Sequence, residues 1–110
     1  MAIVNQQLTT TQLDMITVPA NKSYAITNIL VCNNGTAAAS FDMHLIPQSS
    51  SLSNTVTRVI NNLELPAGET FTFDSEKIVL EVGDKISFVA EPDIGAALTD
   101  LAATVSYLEV

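Results

Sequence analysis

Few side chains in this 110-residue chain have the chemistry of an active site. The sequence contains one histidine, His44, which follows Asp42 by two residues, so both side chains lie on one face of a strand and offer a metal ion two ligands. Structural zinc sites use about four ligands and catalytic zinc sites about three, and the sequence has no second histidine to complete either set. We therefore expect no metal site and interpret the pair as a surface histidine beside a carboxylate.

Nucleophilic and calcium-binding patterns are equally incomplete. Cys32 and His44 form a possible thiol–imidazole pair, but they lie on neighbouring arms of one predicted hairpin, where closeness needs no catalytic explanation. The acidic segment 91–100 holds Glu91, Asp93 and Asp100 without the alternating spacing of a calcium loop, and we interpret it as a solvated loop. Glycine-rich phosphate motifs and the G-x-S-x-G nucleophile motif are missing from the sequence. The sequence predicts no catalytic residue, no cofactor and no enzymatic activity.

The charge of the chain restricts its partners. Twelve acidic and four basic residues give a net charge of −8 at pH 7. A protein that binds nucleic acids or anionic membrane surfaces needs clusters of Lys and Arg. The sequence also has no apolar run that approaches the roughly 20 residues of a membrane-spanning helix. We therefore expect neither nucleic acid nor membrane insertion. The single cysteine and the absence of a signal-peptide pattern predict synthesis in a cytoplasm.

The apolar residues repeat with the period of a β-strand. In ASFDMHLIP, for example, Phe41, Met43 and Leu45 share one face. Turn signals rich in Gly, Pro and Asn recur about every 8 to 15 residues, which is typical of an all-β fold. We predict an antiparallel β-sandwich, jelly-roll-like, with eight to nine strands. The predicted strands cover residues 2–8, 13–18, 23–33, 39–47, 56–65, 69–74, 77–82, 85–91 and 102–109.

The domain organisation follows from the same pattern. Residues 1–12 are predicted as an N-terminal arm or first strand, and residues 13–110 as a single β-sandwich domain. The polar, Ser-rich stretch 47–55 is predicted to be an exposed loop. A helical turn is compatible only with residues 94–101. The predicted core comprises Ile26, Leu30, Phe41, Met43, Leu45, Phe71, Phe73, Leu80, Ile86, Phe88 and Val105.

One short phrase recurs in the chain. VPANKSYAI begins at residue 18, LPAGETFTF at residue 65 and the looser LEVGDKISF at residue 80. Proline fixes φ, and Asn21, Gly68 and Gly83 tolerate the positive φ of a tight turn. We therefore interpret all three copies as strand–turn–strand joints.

The segment 25–32 departs from strict alternation because Ile29, Leu30, Val31 and Cys32 are consecutive apolar residues. Such a strand is either a central strand covered by a loop or part of an interface between copies of the chain. The apolar start of the chain also needs cover. Under the second interpretation we expect a symmetric homo-oligomer, with a trimer as the expected form. The residues assigned to this interface are Ala2, Ile3, Val4, Ile29 and Val31.

An ordered set of motifs resembles a known group of proteins. YAITNILVCNNGTAAASFDMHLIP is followed by a Ser-rich loop, then by LPAGETFTFDSEKIVLEVGDKISFVAE, and finally by ATVSYLEV. This order is similar to that of small β-sandwich virion proteins of tailed bacteriophages, especially marine and cyanobacterial phages. The matching pieces encode turns and core positions, and they carry over no catalytic residue. They lie at residues 26–34, 39–47, 65–70, 77–86 and 103–109.

The resemblance implies a structural component of a phage particle. It implies a capsid-decorating or cement protein, or a part of the tail, baseplate or fibre, that is made in the bacterial host cytoplasm and located in the virion. The implied partners are other phage virion proteins and further copies of the chain. A module that binds a host-surface glycan or receptor is the alternative.

Overall fold

Nine β-strands form the fold in the computed structural model, which describes residues 2–73, 78–91 and 98–110, with the backbone alone at 98 and 99. They match the nine predicted strands in order and place, although β9 begins earlier than expected. Of residues 94–101, assigned to a possible helical turn, 98–101 belong to this strand and 94–97 lie outside the described residues. The strands are β1 Ala2–Thr9, β2 Leu13–Thr17, β3 Tyr24–Asn33, β4 Ala39–Ile46, β5 Arg58–Leu65, β6 Thr70–Phe73, β7 Ile78–Leu80, β8 Lys85–Ala90 and β9 Leu98–Glu109.

The strands form two antiparallel sheets. The first sheet has the order β1-β9-β3-β6, with β7 also paired to β3, and the second has the order β2-β8-β4-β5. Strand β1 pairs with β9, β2 with β8, β3 with β6 and β7, and β4 with β5. The chain therefore folds back at its middle, and its two halves form one long antiparallel ribbon. Wrapping this ribbon adds the β3–β9 and β4–β8 pairs. This is a jelly-roll sandwich, and the predicted fold class is confirmed.

Aromatic and aliphatic side chains fill the space between the sheets. Phe41 and Phe88 are fully buried, and the ring of Phe41 lies 5.9 Å from that of Phe71 and 6.2 Å from that of Phe88, centroid to centroid. The predicted core positions lie in this core or pack against it, with the exception of Leu30. Within the described residues, no helix has the length and apolar character needed to cross a membrane.

A β-bulge in β3 explains the exception. Ile26 lies opposite Tyr107 and Asn28 lies opposite Ser106, so Thr27 is an extra residue in β3 relative to β9. One extra residue reverses the side to which all later side chains point. The prediction that Leu30 lies in the core is therefore wrong. Leu30 faces outward, while Ile29 and Val31 are fully buried between the sheets.

Residues 2–9 belong to the sandwich as its first strand. Strand β1 pairs with β9 without interruption from Ala2, opposite Tyr107, to Gln7, opposite Ala102. Leu8 is fully buried, and Val4 packs against the core. Residues Ala2–Thr9 are therefore a strand of the first sheet.

The recurring phrase forms the same kind of turn at its different sites. Asn21, Gly68 and Gly83 have φ of 64°, 78° and 83°, which confirms the predicted positive values. In turns 66–69 and 81–84, the N–H of the fourth residue donates to the carbonyl of the first, at 3.2 and 3.0 Å. The glycine is the third residue of each, as in a type II turn.

Both glycine turns also attach to a distant strand end in the same way. The N–H of Gly68 donates to the carbonyl of Asn33, and the N–H of Asn33 donates to the carbonyl of Glu69, both at 2.9 Å. The turn 81–84 makes the equivalent two bonds with Val18, at 2.9 and 3.1 Å. The repeated sequence therefore closes the sandwich at two places with the same backbone pairing.

The two glycines provide a matched pair of substitutions. An added Cβ at Gly68 meets no atom within 4 Å, whereas at Gly83 it lies 2.6 Å from Cγ of Gln48. We expect Gly68→Ala to lower the free energy of unfolding by about 1 kcal/mol, from φ strain alone. Gly83→Ala should lower it by about 2 kcal/mol because steric overlap adds to that strain. Urea unfolding measures both losses, and equal losses would contradict the contribution of Gln48.

Candidate functional site

Among the residues that the structure describes, the outward side of the first sheet carries no charged side chain over most of its area. We call this surface the uncharged face. Alternation along each strand and the register between strands place its members on the side away from the core. They are Ile3, Asn5, Gln7, Ala25, Asn28, Leu30, Cys32, Thr70, Thr72, Val79, Ala102, Thr104, Ser106 and Leu108.

Apolar groups are exposed on this face. Ala25 lies opposite both Leu108 and Val79, and Val79 is 59% exposed. Ile3, on the outermost strand, is 67% exposed. Towards the centre, Leu30 lies between Thr104 and Thr72 in the register. Exposed apolar side chains among small polar ones, on one sheet, are typical of a protein–protein contact surface.

Charged residues flank the uncharged face. At one end the Lys22 Nζ is 3.2 Å from Oε2 of Glu109, and at the other end Asp100 is exposed. The outward side of the second sheet differs, since it carries ion pairs such as Lys85–Asp14, at 3.7 Å. Because the molecule carries a net charge of −8, the uncharged face is where two copies, or a second acidic protein, approach with the least repulsion.

The structure separates the residues that the sequence assigned to an interface. Ile3 lies on the uncharged face, Ala2 is exposed on the same strand, and Val4 is partly buried against the core. Ile29 and Val31 are fully buried and present no surface. The sequence predicts that β3 has two apolar sides, but it does not show which residues lie on the outer side. The bulge places Leu30 and Cys32 there.

His44 is buried on the outward side of the second sheet, so its interpretation as a surface histidine is wrong. The connection between β4 and β5 folds over it. The Thr57 hydroxyl donates to the Ser53 carbonyl at 2.9 Å and accepts from the Ser53 N–H at 2.9 Å. Its only proton is thereby used, so Nδ1 of His44, at 2.8 Å, is the donor to Thr57. Nε2 is then unprotonated, and it has no hydrogen-bond partner among the described residues.

Asp42 has a structural contact of its own. It is also buried, and Oδ1 accepts the backbone N–H of Asn62 at 2.5 Å, while Oδ2 is 3.8 Å from the Arg58 guanidinium. Asn62 has a φ of 50° and sits at an irregularity in the pairing of β4 with β5. The carboxylate therefore fixes this bulge. Among the described residues, no three His, Cys, Asp or Glu side chains are grouped to hold a metal ion.

Ser87 adds a hydroxyl beside the histidine but does not complete a nucleophile. It lies opposite His44 in the register and is fully buried. Its hydroxyl donates to Oδ1 of Asp14 at 2.6 Å, and this bond lowers the pKa of Asp14, helped by Gln12 and Lys85 and opposed by burial. A serine nucleophile needs a histidine between serine and aspartate. Here the aspartate contacts the serine directly.

Cys32 and His44 do not meet. Strands β3 and β4 belong to different sheets, so the predicted hairpin between them is wrong. Cys32 faces outward from the first sheet and His44 outward from the second, on opposite sides of the sandwich. The thiol of Cys32 instead lies 3.4 Å from the side-chain oxygen of Asn34.

Two further places in the chain contain acidic side chains. Of the acidic segment 91–100, Asp93 lies outside the described residues, and Asp100 belongs to β9. A pocket of about 210 Å³ lies between the end of β4 and β7, and Asp84 is the one charged residue among the described residues that line it. Both oxygens of Asp84 accept backbone N–H groups, from Gln48 and Glu81. Small-molecule sites usually enclose about 300 Å³ or more.

Burial of His44 predicts a dependence of stability on pH. Desolvation lowers the pKa of His44, Asp42 acts in the opposite direction, and Arg58 lowers it further. Below about pH 6.5 the unfolded chain therefore binds a proton before the folded protein does, and the free energy of unfolding falls as the pH decreases. Above that pH the histidine contributes no slope.

Urea unfolding of the wild type and His44→Gln between pH 5 and pH 8 measures this effect. The difference in unfolding free energy between the two proteins should be constant above pH 6.5 and should change in favour of the variant below it. A constant difference over the whole range would contradict the burial of a neutral histidine. Asp14 does not interfere, because its lowered pKa acts below about pH 3.8.

Comparison with known proteins adds no relative: no family model matches the chain, and neither a curated protein nor a solved structure does. The jelly-roll fold occurs in viral capsid proteins, in lectins and in cupins, so the fold alone does not select a function.

Proposed function

We propose that this chain is a non-catalytic structural component of a tailed bacteriophage particle, either a capsid-decorating or cement protein or a tail- or baseplate-associated protein. It acts by associating with further copies of itself and by docking on other virion proteins. It is made in the bacterial host cytoplasm and is located in the virion. The observation that carries the proposal is the uncharged face on a molecule with a net charge of −8.

The dimensions of the molecule leave room for a standard contact on one side. Its two longest extents, 41 and 26 Å, enclose about 1,000 Å², charged ends included. A standard protein interface buries about 800 Å² on each partner. The exposed apolar groups, Val79, Leu108 and Ile3, contribute the hydrophobic part of such a contact, and the threonine-rich centre contributes groups that form hydrogen bonds.

Two further observations support a role in a particle. The jelly-roll arrangement of the strands is one that viral capsid proteins use. The ordered motifs at residues 26–34, 39–47, 65–70, 77–86 and 103–109 resemble small virion proteins of tailed phages. Neither observation indicates a catalytic residue, and both agree with a protein that acts through contacts of its surface.

Purified virions of the phage that encodes the chain provide the test. Quantitative mass spectrometry should find the chain in density-purified particles at a copy number that matches a symmetric element of the particle, and a particle map should locate it. Presence in the lysate and absence from the particles would overturn the proposal. Binding of the isolated protein to host cells, with inhibition of infection, would instead support the alternative receptor- or glycan-binding module.

A matched pair of variants tests the surface itself. Val79→Lys places a charge on the uncharged face, and Val59→Lys places the same charge on β5 of the second sheet, where the valine is similarly exposed, at 52% against 59%. We expect only Val79→Lys to reduce incorporation into particles. Equal incorporation of both variants would show that the uncharged face is not the docking surface.

A further inference from the structure

Three of the sheet edges carry features that prevent addition of another strand. Strand β5 has Arg58, Glu64 and the bulge at Asn62, and β2 has an irregularity next to Asp14. At the far edge of the first sheet, β6 and β7 are only 4 and 3 residues long. Charges, bulges and short strands are the usual means by which proteins protect a sheet edge.

Strand β1, the remaining edge, is neither charged nor short, and the one irregularity in its described pairing lies at its end, between Gln7 and Thr9. Its sequence AIVNQQLT contains no charged residue, no proline and no glycine, and it is 8 residues long. Its pairing with β9 is regular from Ala2 to Gln7, and no other described strand pairs with it. Ile3, Asn5 and Gln6 are exposed. A regular, uncharged and exposed edge of this kind is a template for a further strand.

We propose that β1 pairs with β1 of a second copy, antiparallel and around a two-fold axis, so that two first sheets become one continuous sheet. Directly opposite residues in a sheet must point to the same side, so one residue must lie opposite its own copy, with the axis between the two. When that residue is Val4, residues 2–6 of both copies pair, and Ile3 of one copy lies opposite Asn5 of the other. The ladder is about 17 Å long.

Charge and symmetry favour a second copy as the occupant. Each copy carries a net charge of −8, so association is least opposed where both partners are neutral, and β1 is neutral. A basic partner, in contrast, gains no ion pair at β1. The antiparallel two-fold arrangement is also self-complementary, because each hydrogen bond off the axis is made twice. The uncharged faces of both copies then lie side by side on one surface.

This pairing specifies how the self-association in the proposed function takes place, and its test needs no virion. A two-fold contact gives a dimer in place of the trimer expected from the sequence. Sedimentation equilibrium of the full chain should therefore give twice the monomer mass of 11.7 kDa at micromolar concentration. The dissociation constant should decrease as salt rises, because salt screens the repulsion between the acidic copies.

Ile3→Lys and Ile3→Glu should each raise the dissociation constant about tenfold or more, since two like charges then lie next to the axis. Val59→Lys is the matched control, an exposed valine on the edge strand of the other sheet, and should leave the dimer unchanged. Circular dichroism checks that each variant keeps its β-sheet. A wild-type monomer, a trimer, or a dimer that resists both Ile3 variants would overturn the proposal.

Two measurements distinguish pairing of edges from stacking of uncharged faces. Hydrogen exchange should show protection of residues 2–6 in the dimer that is lost in Ile3→Lys. The single cysteine, Cys32, lies on the uncharged face away from β1, so its alkylation rate should be the same in the wild-type dimer and in Ile3→Lys. Protection of Cys32 in the dimer would overturn edge pairing. If the chain is nevertheless found in virions, the proposed function remains and only this contact is wrong.

Discussion

Replacing Asn33 with alanine is expected to lower the free energy of unfolding by about 3 kcal/mol, because several buried polar groups lose their partners together. The Asn33 side chain is fully buried. Its Nδ2 donates to the carbonyls of Ala37 and Leu65, and its oxygen accepts the N–H of Gly35, all at 2.9 Å. Asn33 thereby joins the end of β3, the turn after it and the end of β5. Alanine leaves these backbone groups without a partner inside the protein.

Asn34→Ala is the control for this substitution. Asn34 is the next residue in the same turn and is exposed, and among the described residues its side chain accepts one long contact, from the thiol of Cys32. We expect a loss of about 0.5 kcal/mol or less. Asn33→Asp should be as harmful as Asn33→Ala, because a carboxylate cannot donate to the two carbonyls. Urea unfolding of the three variants measures the losses, and a loss at Asn33 no larger than at Asn34 would contradict the arrangement.

Deletion of Thr27 is expected to cost at least about 4 kcal/mol, because at least two buried side chains must become exposed. Without the extra residue, strict alternation runs through the whole of β3. Either Tyr24 and Ile26 must then turn outward, or Ile29 and Val31 must do so, and all four are buried in the structure. Both outcomes remove core side chains from one half of the strand.

A deletion elsewhere separates this effect from the general cost of a shorter chain. Residue Ser51 lies in the exposed connection between β4 and β5, and its deletion should cost about 1 kcal/mol or less, as loops tolerate changes in length. The thermal midpoint and the near-ultraviolet spectrum of both deletions report the difference. If the Thr27 deletion unfolds at the same temperature as the Ser51 deletion, the extra residue does not reverse the side to which the later side chains of β3 point.

The strands and turns of this molecule are predictable because they depend on short-range patterns. Alternation over four to eight residues and the Gly, Pro and Asn turns identified all nine strands and the positive φ of Gly68 and Gly83. A bulge has no such pattern. Thr27 is an ordinary strand residue, and its role arises only from the opposing strand β9, roughly 80 positions later in the chain. The outward orientation of Leu30 therefore cannot be predicted from the sequence of β3 alone.

The candidate site depends even more on distant parts of the chain. Alternation correctly separated Asp42 and His44 from the core side of β4, but the cover supplied by Thr57 is a tertiary contact. The uncharged face likewise combines residues from β1, β3, β6, β7 and β9. No segment of the sequence contains more than a few of its members, so the absence of charge becomes visible only when the register of all five strands is known.

The position of β9 has a consequence for how the molecule is made. Strand β9 lies between β1 and β3 in the first sheet, although it is the latest of the three to be synthesised. Until residues 98–109 have left the ribosome, β1 has no neighbour in its own sheet, and β3 lacks its partner on one side. The nascent chain can form the local β4–β5 hairpin early, but the closing contacts join segments almost the whole chain apart. Folding of this sandwich therefore waits for the synthesis of β9 and depends on slow, long-range pairing.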